Sequence, residues 1–254
     1  SHPYISTGLT EHKFGIDIKR ADYYYNLATN LKNINIIGMD CHIGSQITDT
    51  KPLAAACVAI QNLFNHLKNN NINISHINMG GGLGVNYEIN DFLAERKSSN
   101  EMPDQKVWVD TIMQNLSVDP KTTVIIEPGR SIIAAAGCSL YKIGHIKDYG
   151  LEVIYAAVNG GMSDNLRPSL YQSQYSAVIG NKMNWQGPTQ EYKIVGKCCE
   201  TGDILIQRIT LPPCQPGDIL VMFVTGAYQH ALASNYNKHT LPGVLLVSDG
   251  TYEW

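Results

Sequence analysis

The sequence has no long apolar run, no surplus of basic residues and no CxxC pair of cysteines. Its longest apolar stretch, around residues 131–140, contains Gly137 and falls well short of the roughly 18 residues that a membrane helix needs. The net charge is -3, with 19 Lys and Arg against 22 Asp and Glu, so neither nucleic acid nor an anionic membrane is an expected partner. The opening residues Ser1–Tyr4 show neither a charged nor an apolar segment. No export signal is therefore expected, and the protein is predicted to be cytoplasmic.

The remaining composition is that of an ordinary globular protein. Hydrophobic residues make up 44% and charged residues 16% of the chain. Its 254 residues correspond to about one and a half to two domains of typical size. The 6 cysteines are too sparse for a disulfide scaffold and fit reduced thiols.

The first half of the chain alternates short apolar runs with amphipathic helical segments. Strands are predicted over residues 34–40, 72–79 and 122–126, and helices over residues 52–69 and 104–116. The order βαβαβ predicts parallel strands that are covered by helices.

Each predicted strand is followed by a polar or glycine-rich tip. The tips are His42–Ser45, Gly80–Gly84 and Glu127–Arg130. Because binding groups of parallel α/β folds collect at the carboxyl ends of the strands, the three tips predict one shared site. A doubly wound sheet also fits the pattern, but a (β/α)8 barrel fits better because all three tips carry polar or glycine residues of this kind.

From about Gly137 the helical periodicity stops. Short β-type runs at residues 153–158, 192–198, 203–209 and 218–224 alternate with Gly, Pro and Asn, which indicates a β-sandwich or β-barrel domain. A short helix is expected around residues 227–235. The predicted class is α/β plus all-β: a partial TIM-type barrel over residues 1–140 and a β-domain over residues 141–254.

Each candidate site residue of the first half has both a structural and a functional interpretation. Gly80–Gly84 is either a tight turn or a backbone surface that a phosphate can approach, and it lacks the GxGxxG spacing of a dinucleotide site. Glu127 and Arg130 form either a buried structural pair or a binder of a cationic ring nitrogen and an anion. His42 is either a core residue or an aromatic face beside Ser45. No second histidine lies at metal-ligand spacing from His42, so zinc is not expected.

The second half offers two further candidates. A turn-rich loop is expected over residues 160–171; Arg167 and Tyr171 lie at its end and could together bind one carboxylate. Cys199 and Glu200 lie in a hairpin-like turn and could act as an acid and an amine binder.

The ordered set of motifs resembles the diaminopimelate decarboxylase family of pyridoxal-phosphate enzymes. The resemblance spans essentially the whole chain, and the motifs that carry it are His2–Gly8, Lys13–Gly15, His42–Gln46, Gly80–Gly84, Glu127–Ser131, Leu166–Tyr171, Cys199–Asp203, Gly226–Tyr228 and Ala233–Asn237.

The resemblance implies pyridoxal 5'-phosphate as the cofactor. Glu127 would then face the pyridine nitrogen, His42 would stack on the ring, and Tyr228 would close the pocket. The phosphate would be surrounded by Ser45, Gly82 and the Pro128–Gly129–Arg130 turn, with Arg130 also near the substrate.

The resemblance also implies a substrate, a reaction and a partner. Arg167 and Tyr171 would hold the distal carboxylate of meso-2,6-diaminopimelate, with Tyr228 nearby. Glu200 would bind the distal ammonium, and Cys199 would donate the proton that replaces CO2. In this family the Cys199–Glu200 pair reaches the neighbouring subunit's cofactor, which implies a homodimer with shared sites.

One departure from the family is important for activity. The Schiff-base lysine of the family belongs to a segment before Ser1, so the chain as given is expected to be inactive without that part. The alternatives to diaminopimelate decarboxylation are a related ornithine- or arginine-type decarboxylase and a catalytically silent homologue that acts as a binding protein.

Overall fold

The computed structural model describes residues 13–88, 102–150 and 153–253. These residues divide into two compact units. The first unit contains the described residues up to Asn86 and those from 102 to Ile132, and the second contains Tyr87, Glu88 and the described residues from Ile133 onward. Across the described residues, no helix is long and apolar enough to span a bilayer.

The first unit is built on a three-stranded parallel sheet. Its helices are α1 (Ile18–Thr29), α2 (Lys51–Asn69) and α3 (Gln105–Asn115), and its strands are β1 (Gly38–Asp40), β2 (His76–Asn78) and β3 (Thr123–Ile125). The strands lie in the order β1-β2-β3, with Met39, Ile77 and Val124 in register. The predicted βαβαβ order is confirmed, although each strand is shorter than predicted.

Helices α2 and α3 bury apolar side chains in one core with the strands. On α2 the buried side chains recur every three or four residues, at Leu53, Cys57, Ile60, Phe64 and Leu67. Burial of one such leucine or phenylalanine side chain contributes about 1.5–3 kcal/mol to stability. Helix α1 was not predicted because it lacks such a stripe: among its side chains only Ala21 is buried.

The second unit is built on a six-stranded, mostly antiparallel sheet. Its strands are β4 (Ser139–Lys147), β5 (Ile154–Val158), β6 (Ala177–Ile179), β7 (Gln190–Val195), β8 (Ile204–Leu211) and β9 (Ile219–Met222). They lie in the order β6-β9-β4-β5-β7-β8, only β5 and β7 are parallel, and the edge strands β6 and β8 also contact each other. A register shift after Ile143 lets β4 pair first with β9 and then with β5.

Two local predictions for this half are wrong. The expected helix around residues 227–235 is only a short 3-10 turn, His230–Leu232, because Tyr228 has a φ of 65° that no continuous right-handed helix accepts. The expected loop at residues 166–171 contains a short helix, α5 (Arg167–Tyr171), with Pro168 in its first turn, where proline is favoured. Two further elements complete the described chain. Helix α4 (Arg130–Ile133) follows β3, and a β-hairpin of β10 (Leu246–Ser248) and β11 (Thr251–Glu253) lies at the end.

A buried ion pair fastens one end of the β-sheet. Lys182 Nζ lies 2.6 Å from Asp218 Oδ2, and Asp218 also accepts hydrogen bonds from Asn181 Nδ2 and the Gln215 N–H. Burial by itself raises the pKa of Asp218, but these hydrogen bonds outweigh it and hold the pKa below its usual value. The folded state therefore favours the ionised form of Asp218.

Replacing this carboxylate tests its contribution to stability. Asp218→Asn is expected to lower the free energy of unfolding by about 3 kcal/mol near neutral pH, because it leaves the half-buried Lys182 ammonium without its counter-charge. The lowered folded pKa means that the contribution is complete above about pH 4 and is lost as the pH falls further. Urea denaturation at a series of pH values measures both effects.

The exposed pair Lys106–Asp110 provides the control. Its side chains are 80% and 46% exposed, against 18% and 1% for Lys182 and Asp218. Asp110→Asn is expected to change the free energy of unfolding by less than about 1 kcal/mol. Equal losses for the two variants, or a loss for Asp218→Asn that does not shrink in acid, would contradict this interpretation.

Candidate active site

The three strand tips of the first unit interlock through their backbones. The Glu127 N–H donates to the Gly80 carbonyl at 2.7 Å, and the Ile47 N–H donates to the Gly82 carbonyl at 2.9 Å. A Cβ on Gly81 would lie 2.1 Å from the Glu127 carbonyl oxygen, and one on Gly82 would lie 2.3 Å from the Gly44 carbonyl oxygen. The middle tip therefore touches both neighbours because Gly81 and Gly82 carry no side chains, and this explains why these two positions are glycine.

His42 is fixed by the middle tip. Its Nδ1 accepts a hydrogen bond from the Gly81 N–H at 3.2 Å. That contact makes Nδ1 the unprotonated nitrogen and leaves the proton of a neutral imidazole on Nε2. His42 is half-buried at the strand tips.

Arg130 crosses from the third tip to the first. It is only 5% exposed, and its Nη2 donates to Ser45 Oγ at 3.0 Å. Pro128 and Gly129 form the turn that leads into α4, and the Ile132 N–H donates to the Gly129 carbonyl. A hydroxyl and a guanidinium are thus held together beside a glycine-rich turn.

Glu127 is exposed and is held by Asn78. Its Oε1 accepts a hydrogen bond from Asn78 Nδ2 at 2.8 Å, and Asn78 Oδ1 accepts one from the Gly80 N–H at 2.8 Å. The interpretation of Glu127 and Arg130 as a buried structural pair is therefore wrong. Burial, with the charge of Glu127 as a smaller cause, raises the pKa of Asp40 at the end of β1, which places a second carboxyl group in this neighbourhood.

This donor set fits pyridoxal phosphate. Ser45 and Arg130 are the groups that commonly bind a phosphate, the glycine turn permits a close backbone approach, and an accessible carboxylate suits a protonated ring nitrogen. All seven cofactor residues predicted for this half, His42, Ser45, Gly82, Glu127, Pro128, Gly129 and Arg130, belong to the three interlocked tips.

The second unit holds Arg167 among tyrosines. Arg167 is 4% exposed, and its Nη1 donates to the hydroxyls of Tyr175 at 2.6 Å and Tyr87 at 3.2 Å. Its guanidinium carbon lies 5.9 Å from the Tyr228 ring centroid. Burial lowers the pKa of Arg167, but Tyr175 and Tyr87 raise it by more, so the net change is upward and the guanidinium stays charged.

The turn that carries Cys199 and Glu200 is tied to helix α5. Ser169 Oγ donates to the Gly202 carbonyl at 2.7 Å. The buried Asp203 carboxylate accepts hydrogen bonds from the N–H groups of Met162 and Cys198 at 2.6 and 2.7 Å. Asp203 therefore joins the segment before Arg167 to the turn.

Cys199 and Glu200 are both exposed at the tip of this turn. The hydroxyl of Tyr236 donates a hydrogen bond to Glu200 Oε1. Tyr171 lies one helical turn after Arg167 on α5 and is half-buried.

Tyr228 lies in a strained segment. Its φ is 65°, and the nearby buried Val224 has a φ of 57°, a region that non-glycine residues rarely adopt. Such strain is common at functional sites because the surrounding structure must hold it. Strain at Tyr228 is therefore consistent with a functional position beside Arg167.

Sequence reasoning missed the residues that hold others in place. They are Asn78, Tyr87, Tyr175, Asp203 and Tyr236. Asn78 lies just before the Gly80–Gly84 motif, and Asp203 and Tyr236 lie inside motifs, but their roles depend on hydrogen bonds to other segments that no local pattern shows. Within residues 13–88, 102–150 and 153–253, no group of three or more His, Cys, Asp or Glu is placed to hold a metal ion.

Comparison with known proteins identifies the family. Residues 1–134 match the profile of the pyridoxal binding domain of the pyridoxal-dependent decarboxylases. The chain belongs to this family, and its cofactor is pyridoxal phosphate.

Within this family the chain is similar to diaminopimelate decarboxylases. It is 36% identical to the enzyme of Halalkalibacterium halodurans and 38% identical to that of Bacillus methanolicus, over 98% of this chain in both cases. The chain spans 57% and 58% of the lengths of these two relatives.

A solved structure confirms the expected fold class. The diaminopimelate decarboxylase of Helicobacter pylori, solved in complex with L-lysine, matches 100% of this chain and 59% of its own, with a TM-score of 0.86 and 29% identity. The chain is accordingly part of a TIM-type barrel followed by a β-domain.

The backbone contact between tips can be tested at Gly82. Gly82→Ala is expected to destabilise the protein by about 1–3 kcal/mol, because Gly82 has a φ of 107° and a Cβ there would collide with the Gly44 carbonyl. Binding of pyridoxal phosphate, measured by fluorescence quenching, is expected to weaken as the tips separate.

Gly144→Ala is the matched control. A Cβ on Gly144 would meet only the Ala157 carbonyl oxygen, at an ordinary 3.9 Å. This variant is expected to keep cofactor binding unchanged. The account of the tips fails if Gly82→Ala binds the cofactor as tightly as Gly144→Ala.

Proposed function

We propose that the full-length protein decarboxylates meso-2,6-diaminopimelate to L-lysine, the last step of lysine biosynthesis, in the cytoplasm. The observation that carries this proposal is that the second unit holds a buried, charged Arg167 and presents Cys199 and Glu200 together at an exposed turn. A zwitterionic amino-acid end needs one cation and one anion for recognition, and Arg167 and Glu200 supply them.

The cofactor residues divide the work in the first unit. Bound pyridoxal phosphate supplies an electron sink for the electron pair that remains on the α-carbon when CO2 leaves. Glu127 keeps the proton on the ring nitrogen, where a neutral partner would weaken that sink. His42 packs on the ring face, while Ser45, Gly82 and the turn of Pro128, Gly129 and Arg130 hold the phosphate.

The substrate residues belong to the second unit. Arg167 and Tyr171 bind the distal carboxylate, and Tyr228 closes the pocket. The carboxylate of Glu200, oriented by the Tyr236 hydroxyl, binds the distal ammonium. The Cys199 thiol delivers a proton to the α-carbon.

The proposed assembly is a homodimer with shared sites. Cys199 and Glu200 are exposed at a turn, as groups that reach a neighbouring subunit must be. Each subunit then contributes this pair to the cofactor site of the other.

The test uses purified full-length protein with pyridoxal phosphate. Release of CO2 and lysine from meso-diaminopimelate is expected, with Glu200→Gln raising KM about tenfold or more because it removes the charge that binds the ammonium. Glu253→Gln, at an exposed hairpin position, is the control and is expected to match the unmodified protein.

Two outcomes would contradict the proposal. Turnover of ornithine or arginine in place of diaminopimelate would assign the protein to the related decarboxylases. Cofactor binding without turnover of any of these amino acids would favour the catalytically silent homologue.

A further inference from the structure

Asn78 holds a central place at the carboxyl ends of the three parallel strands. It is the last residue of β2. Its Cα is in register with Asp40 of β1 on one side and with Ile125 of β3 on the other. Its side chain bonds to the glycine turn of its own tip and to Glu127 of the next tip.

The orientation of the Asn78 amide is fixed by its two partners. The Gly80 N–H can only donate, so the amide oxygen must face it, and the NH2 group must face Glu127. The Glu127 carboxylate therefore receives a donated hydrogen bond that an amide, which does not titrate in this pH range, supplies at every pH.

We propose that Asn78 is a positioning residue that holds the Glu127 carboxylate in one orientation, as the acceptor for the protonated ring nitrogen of the cofactor. This inference rests on the proposed function, and it deepens the role of Glu127 there. The amide adds no charge of its own to a neighbourhood that already holds the carboxyl groups of Asp40 and Glu127.

The charged and titratable groups around Glu127 come from each element at the tips. Asp40 ends β1, His42 follows it, and Arg130 begins α4. Burial and the charge of Glu127 already raise the pKa of Asp40, while His42 lowers it. A further negative charge at position 78 would therefore be poorly tolerated once it is ionised.

The Asn78→Asp variant removes the NH2 donor of the side chain but keeps its size and shape. One carboxylate oxygen can still accept from the Gly80 N–H, but the other would face Glu127 Oε1 across the 2.8 Å now occupied by a hydrogen bond. At low pH a proton held between the two carboxyl groups restores the bond. At high pH both ionise and repel each other.

The measurement is the dissociation constant of pyridoxal phosphate for the full-length protein, freed of cofactor, between about pH 5.5 and 9. Asn78→Asp is expected to bind nearly as tightly as the unmodified protein at the acidic end. Its affinity is expected to fall by ~10-fold or more toward the alkaline end, because the two carboxyl groups lose their shared proton there and then repel each other. Asn78→Ala is expected to bind pyridoxal phosphate more weakly than the unmodified protein at all pH values. Because alanine adds no ionisable group, no additional pH dependence is expected.

Asn115→Asp is the matched control. Asn115 also donates its amide N–H group, to the Thr111 carbonyl on α3, and belongs to the same unit. This variant is expected to follow the pH dependence of the unmodified protein.

A second readout does not need the cofactor. Infrared difference spectra of the cofactor-free protein report protonated carboxyl groups, and Asn78→Asp is expected to show one additional carboxyl that titrates above the usual range. Thermal unfolding of each variant checks that it is folded.

The proposal is overturned if Asn78→Asp binds the cofactor like the unmodified protein at every pH, or if Asn78→Asp and Asn78→Ala weaken binding equally without pH dependence. Both results would mean that Asn78 has only a structural role. If the unmodified protein binds no cofactor, the proposed function fails, and the infrared spectra of Asn78→Asp, which need no cofactor, still decide whether the side chain at position 78 is in hydrogen-bond contact with Glu127.

Discussion

The first unit depends on direct backbone contact between neighbouring strand tips. Gly81 and Gly82 let the middle tip lie against the Glu127 and Gly44 carbonyl oxygens, at positions where any Cβ would collide. This close approach brings the histidine, the hydroxyl, the carboxylate and the guanidinium of three separate loops into one cluster. The cluster thus depends on the absence of side chains at Gly81 and Gly82 as much as on the side chains that form it.

In the second unit, a buried carboxylate holds separate segments together. Asp203 accepts from the N–H groups of Met162 and Cys198, and so ties the segment that leads to Arg167 to the turn with Cys199. An exposed thiol and an exposed glutamate on a hairpin would otherwise have no fixed relation to a buried arginine. The tyrosines around Arg167 then hold its guanidinium and keep it charged.

The order of the main elements could be predicted from the sequence because their apolar periodicity is strong. The stripe on α2 and the β-branched run at β3 are examples, and the three tips follow from their positions after strands. Helix α1 could not be predicted because it buries only Ala21, and the false helix after residue 227 reflects a positive φ at Tyr228 that composition does not reveal. The resemblance to a family located the candidate residues, whereas Asn78, Asp203 and Tyr236 emerged only from contacts between segments distant in sequence.

The central claim is that Glu127 and the three tips form one cofactor site. A crystal structure of the full-length protein with pyridoxal phosphate tests it most directly. The account predicts the ring nitrogen about 3 Å from a Glu127 carboxylate oxygen, with the phosphate against Ser45 and Arg130. A cofactor bound away from these tips, or one whose ring nitrogen faces a group other than Glu127, would contradict it.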